Sequence, residues 1–107
     1  KKWLRIKRKE MAYRIDIRPL ANIEILEAYD WYELQREGLG TEFLDELDIF
    51  YLTLERNPDT YSFYQKPVRQ GTLKRFPYTV VYEIFDEVIV IYSVFMYRQD
   101  PDKKRIA

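Results

Sequence analysis

Between residues 20 and 56 apolar side chains recur twice at helical spacing, and the chain on either side of that stretch is patterned for strands. Ala21, Ile25, Ala28 and Tyr32 fall at i, i+4, i+7 and i+11, which predicts a helix over 20–37. Phe43, Leu47, Phe50 and Leu54 repeat the same spacing in a second helix that Asn57-Pro58 terminates. Gly38 is a natural stop for the first helix, and Thr41 is the expected cap of the second, with Glu42 and Asp45 favoured at the positive end of its dipole. The short link Gly38-Leu39-Gly40 makes the pair an antiparallel hairpin. Each helix carries an apolar stripe that needs a third element to cover it.

The flanking sequence supplies that element. Tyr13, Ile15 and Ile17 alternate with Arg14, Asp16 and Arg18, the period of a half-buried strand, and Pro19 ends it while suiting the first turn of a helix. After the hairpin, Val68 and Leu73 flank a Gln70-Gly71 turn signal, and Pro77-Tyr78 breaks the chain again. Residues 79–85 are β-branched and aromatic, and Asp86-Glu87 reverses them. Residues 88–97 are almost continuously apolar, which predicts a central strand covered on both faces, with Val90 and Val94 on the same side. Asp100-Pro101 ends it before a basic tail of Lys103, Lys104 and Arg105. The fold class is α+β: an N-terminal strand, a two-helix antiparallel hairpin, then a three- to four-stranded, mainly antiparallel sheet. There are no internal repeats, linkers or low-complexity segments.

Chemistry is narrowed by what is missing. The 107 residues contain neither cysteine nor histidine, which excludes disulfides, thiolate metal sites, a cysteine nucleophile and every His-dependent triad. Catalysis would have to run on carboxylates, Lys, Arg, Tyr, Ser or Thr. No cofactor is expected and no metal site: Asp45, Glu46 and Asp48 read as solvated carboxylates at a helix start. Gly38-Leu39-Gly40 lacks the spacing and lysine of a phosphate loop. Tyr29, Trp31 and Tyr32 read as core and partner surface, since their acidic neighbours would repel a phosphate backbone.

The neutral total of 18 basic and 18 acidic residues hides a sorting along the chain. Residues 1–10 hold six bases against Glu10; residues 19–59 hold eleven acids against Arg36 and Arg56; residues 66–82 hold Lys66, Arg69, Lys74 and Arg75 with no acid. Such sorting points to a charged partner face. Residues 1–10 read as a basic N-terminal extension foreign to the domain, with Met11 as the expected native start and 11–107 as one domain. Trp3, Leu4 and Ile6 are too few for a signal peptide, and no run approaches the roughly 18 apolar residues of a membrane span. A cytoplasmic protein without membrane contact is expected.

Several fragments in fixed order resemble a known family. Trp31-Tyr32-Glu33 precedes Gly38-Leu39-Gly40 and Phe43; Asn57-Pro58 closes the second helix; Val68-Arg69 leads to Leu73-Lys74-Arg75-Phe76-Pro77-Tyr78. Val81-Tyr82, Val94-Phe95, Arg98 and Asp100-Pro101 follow. Together, over about 12–101, they resemble the RelE/ParE toxin superfamily of bacterial type II toxin–antitoxin systems, in particular its ParE-like, plasmid-stabilisation branch. The ribonuclease branch of that superfamily commonly carries an Arg after the aromatic that opens the fourth strand, and a His after the Val-Phe pair. Here Thr79 and Met96 occupy those places, and neither performs the same chemistry.

The resemblance implies a toxin neutralised by a cognate antitoxin and directed at DNA gyrase by protein contact, with DNA reached only through the antitoxin. Lys66, Arg69, Lys74 and Arg75 are then the expected surface for acidic side chains of the antitoxin, with Tyr78 and Tyr82 as apolar anchors. Two alternatives stand beside it. A RelE-like, ribosome-dependent mRNA endoribonuclease would use Lys74, Arg75, Tyr97 and Arg98, although an ordinary phenol titrates near pH 10. The plainer expectation for these residues is structural: Tyr97 would pack with other tyrosines and Arg98 would pair with a carboxylate such as Asp100. An inactive relic would keep only antitoxin binding.

Overall fold

The computed structural model describes residues 13–97. The expected basic extension, Arg98 and the basic tail lie outside the described residues. The elements run β1 (Arg14–Ile17), α1 (Pro19–Gln35), α2 (Leu39–Arg56), β2 (Phe63–Gln65), β3 (Val68–Thr72), β4 (Tyr78–Phe85) and β5 (Val88–Met96). The strands form one mixed sheet in the order β1-β5-β4-β3-β2. β1 lies parallel to β5, and the other pairings are antiparallel. The hairpin and the strands that follow it thus form the expected α+β fold, and β1 joins the sheet as its edge.

The link between the helices is built differently from the sequence expectation. α2 starts at Leu39, and Gly38 precedes it at φ 90°, a left-handed conformation that costs glycine little. Thr41 lies inside the helix and makes no cap. The free amides are met instead by Glu33 of α1, whose carboxylate accepts from Gly38 N at 3.1 Å and from Gly40 N at 2.7 Å. A carboxylate suits this place for two reasons: it satisfies orphan donors, and it faces the positive helix end.

Gln70 and Gly71 do not turn the chain; both sit within β3. The reversal comes earlier, where Gln65 pairs with Val68 around Lys66 and Pro67. Gly71 is there because of a close approach: a Cβ at that position would lie 2.7 Å from the Tyr61 ring and 2.9 Å from Phe50 Cζ. Those two rings stack at 4.8 Å and press α2 onto the strand.

β5 also departs from simple alternation. Tyr82 pairs with Ile91 and Val81 with Ser93, so Tyr92 is an extra residue that shifts the register. Ile89, Ile91 and Val94 therefore all face the core at 0% exposure, while Val90 lies on the opposite side from Val94. The helices cover only one face of the sheet; Phe85 and Phe95, on the other face, are exposed. Above the end of β1, the open edge of β5 is closed by α1: Glu24 Oε1 accepts from Val94 N and Ser93 Oγ, both at 2.8 Å. At the turn end of the hairpin, Tyr32, Phe43, Phe76 and Tyr78 pack with ring centroids 4.9–6.2 Å apart and lock both helices to the start of β4.

Candidate functional site

The loop between β3 and β4 carries the two cations the sequence placed together. Leu73 and Phe76 are buried at its ends, Leu73 N donates to Tyr78 O at 3.0 Å, and Lys74 and Arg75 between them are exposed. Two apolar anchors flanking two charges force the charged pair outward. α2 then answers them. Glu46 accepts from the backbone N–H groups of Lys74 and Arg75, and Glu42 Oε1 accepts from Arg75 Nη2 at 2.8 Å. Glu42 also takes Arg36 from the interhelical link at 3.3 Å, so one carboxylate joins two guanidinium groups. Arg75, then Arg36, holds the Glu42 carboxyl below its ordinary range by hydrogen bonding, and Glu42 in turn holds the Arg75 guanidinium more firmly charged. Arg75 also lies 5.1 Å above the Phe76 ring.

Tyr97 N donates to Pro77 O at 3.0 Å, which sets the end of β5 against this loop. Lys74, Arg75 and Tyr97 are therefore gathered at one end of the sheet. Lys66 and Arg69 are not part of that group: Lys66 lies at the β2–β3 corner, and β3 separates it from Lys74. Lys66 and Arg69 converge instead on Phe63, at 5.1 and 3.9 Å from its centroid, and Arg69 Nη1 donates to Tyr61 O at 2.7 Å.

Tyr78 and Tyr82, expected as apolar anchors for a partner, are 8% and 0% exposed. Both belong to the core because they alternate onto the helix-facing side of β4. Tyr82 donates its hydroxyl to Pro58 O at 2.8 Å, and burial pushes its phenol up to about 12. Thr79, standing where the ribonuclease branch commonly has an Arg, is buried at 4% exposure.

Two grooves border the site. One of about 510 Å³ lies between α2 and the β3–β4 loop, with Ile49, Phe50, Tyr61 and Leu73 in its floor and Glu42 and Arg75 at its rim. The other, about 410 Å³, lies between α1 and the end of β5 and includes Trp31, Tyr78 and Phe95. Among the described residues no group of three acidic side chains is placed to hold a metal ion. Among them, too, no helix is long and apolar enough to cross a membrane.

Glu42 and Glu46 are the site residues that sequence reasoning missed, because they lie 28 to 33 positions from the loop they hold. Charge sorting was the available signal. The acids of 19–59 and the bases of 66–75 meet partly within the molecule, which accounts for some of the imbalance without an external partner. A carboxylate or phosphate approaching Arg75 Nη2 competes with Glu42 for it.

No protein-family model matches the chain, and no curated protein matches it in sequence. Solved structures do. The chain is similar to one from the chromosomal ParDE TA system of P. aeruginosa, with TM-score 0.69 and 14% identity, over 80% of this chain and 97% of that one. It is also similar to the isolated E. coli RelE toxin, with TM-score 0.60 and 21% identity, over 90% of this chain and all of that one. The fold is the one the sequence motifs implied.

Proposed function

We propose that this chain is the toxin component of a type II toxin–antitoxin system, ParE-like, cytoplasmic, and neutralised by a cognate antitoxin. The observation that carries this reading is a likeness of fold covering 97% of one toxin-system structure and all of the other. DNA gyrase is the target that the resemblance implies, and DNA is reached only through the antitoxin. Contact rather than catalysis is favoured by Thr79 and Met96, which stand where the ribonuclease branch commonly has an Arg and a His. Arg75 faces Glu42 at 2.8 Å, a pairing that either role has to displace. On this proposal acidic side chains of the antitoxin replace Glu42 at Arg75 and meet Lys74 beside it, while Lys66 and Arg69 offer a second, separate patch around Phe63.

One observation favours a second reading. Lys74, Arg75 and Tyr97 share one end of the sheet, the grouping that a RelE-like mRNA endoribonuclease would use together with Arg98. Induction in cells, with mRNA cleavage mapping and a gyrase supercoiling assay on purified protein, separates the two. Growth arrest with inhibited supercoiling and intact message is the expected result. Cleavage of ribosome-bound message that Tyr97→Phe or Arg98→Ala abolishes would overturn it. Antitoxin binding with neither arrest nor inhibition would identify an inactive relic.

A further inference from the structure

The outer face of α1 is apolar where a solvated helix would be polar. Leu20, Ile23, Leu26 and Leu34 are 56%, 54%, 61% and 83% exposed. At about 100° per residue, these four lie within one third of the helix circumference, turned away from the buried Ala21, Ile25, Ala28 and Tyr32. A helix with apolar residues on both faces is ordinarily covered on both. α2 differs: its exposed large hydrophobic side chains are Ile49 and Leu52, set among Thr41, Asp45 and Asp48.

The charges on the same face say what kind of surface fits. α1 has no Lys or Arg between Pro19 and Gln35. Two of its four carboxylates are engaged internally, Glu24 with Val94 and Ser93, and Glu33 with the link to α2. Glu27 and Asp30 remain exposed, within the arc of the apolar stripe. A second copy of this chain would set Glu27 and Asp30 against their own kind, so self-association on this face is opposed by like charge.

We infer that the outer face of α1 docks a basic amphipathic helix of a partner protein, its apolar residues packing on Ile23, Leu26 and Leu34 and its Lys or Arg side chains meeting Glu27 and Asp30. The inference does not depend on the chain being a toxin. It is a ridge-into-groove contact between helices with charge at its edges.

The test uses the full chain and two synthetic helical peptides with identical Leu heptads, one with Lys and the other with Glu at the remaining charged positions. Binding is followed by fluorescence anisotropy. The Lys peptide is expected to bind and the Glu peptide not. Because the stripe is solvent-exposed, the triple variant Ile23→Ser, Leu26→Ser, Leu34→Ser should remain folded, its melting point lowered only modestly by the weaker helix propensity of Ser. It retains every charge, yet should bind the Lys peptide at least about tenfold more weakly, having lost the apolar contact area. Glu27→Lys with Asp30→Lys should reverse the preference between the peptides. Unchanged affinity in the stripe variant would mean charge attraction alone and overturn the inference, as would absence of binding. A concentration-dependent dimer abolished by Leu34→Ser would overturn it in favour of self-association.

Discussion

Glu33→Ala tests how the hairpin is closed. The Glu33 carboxylate accepts from Gly38 N and Gly40 N at the start of α2, and no side chain of the α2 cap residue shares the task. A hydrogen bond to a charged group contributes about 1.5–3 kcal/mol, and loss of a capping acceptor typically costs about 0.5–2 kcal/mol. The site is only part-buried, so water recovers some of the loss, and a net cost of about 2 kcal/mol is expected. In a domain near 100 residues that lowers Tm by roughly 8–16 °C, with an unchanged urea m-value. Glu33→Gln keeps an acceptor oxygen without the charge and should lose about half as much. The assay is paired thermal and urea unfolding of the parent and both variants. If Glu33→Ala costs less than about 0.5 kcal/mol, or if Gln is as damaging as Ala, the carboxylate does not cap α2 and the account of the link is wrong.

Three further outcomes follow from the packing. Gly71→Ala drives a methyl into the Tyr61–Phe50 stack and should cost about 1–3 kcal/mol in urea unfolding; a neutral result would mean that α2 does not press on β3. Val94→Asp places a carboxylate at a fully buried site and should unfold the domain, whereas Val90→Asp, on the opposite face, should be far milder; equal effects in circular-dichroism melts would contradict the register shift at Tyr92. Burial raises Tyr82 to about 12 and also raises Tyr32, Tyr51 and Tyr78, so these phenols stay neutral in the fold while unfolded tyrosine ionises near 10. Their stabilisation is full below pH 10 and lost as pH rises toward the folded values, by up to about 1.4 kcal/mol per pH unit for each tyrosine, so equal urea midpoints at pH 9 and pH 11 would refute it.

The parts of the fold that could be read from sequence are those where one local rule acts alone. Ala21, Ile25, Ala28 and Tyr32, and then Phe43, Leu47, Phe50 and Leu54, are the buried residues that the helical period named, and of α2's buried set only Gly40 was left out. Each misreading comes from a residue whose role is set by something distant. Gly71 resembles a turn glycine until the rings of Tyr61 and Phe50 are brought over it. Thr41 resembles a cap until Glu33, eight positions earlier, supplies the acceptor one turn sooner. The extra residue at Tyr92 is hard to see in an almost continuously apolar run, broken only by Ser93, because both faces of the strand are written in the same residue types.

The candidate site was only half legible for the same physical reason. A loop such as Leu73-Lys74-Arg75-Phe76 declares from its own pattern that two cations will project, because its flanking residues bury. Whether those cations are available is decided elsewhere, by which turn of α2 lies above them. Glu42 and Glu46 are four residues apart and so share one face of that helix, and the hairpin directs that face at the loop. The molecule thereby holds its own carboxylates where a partner's would go. For any acidic partner, affinity at Arg75 is the difference between two similar ion pairs on an exposed surface, a small quantity that salt reduces further. Apolar contact has to supply most of the binding, and among the described residues the exposed large aliphatic side chains, Leu20, Ile23, Leu26, Leu34, Ile49 and Leu52, all lie on the helical hairpin, with Ile49 bordering the groove at Arg75.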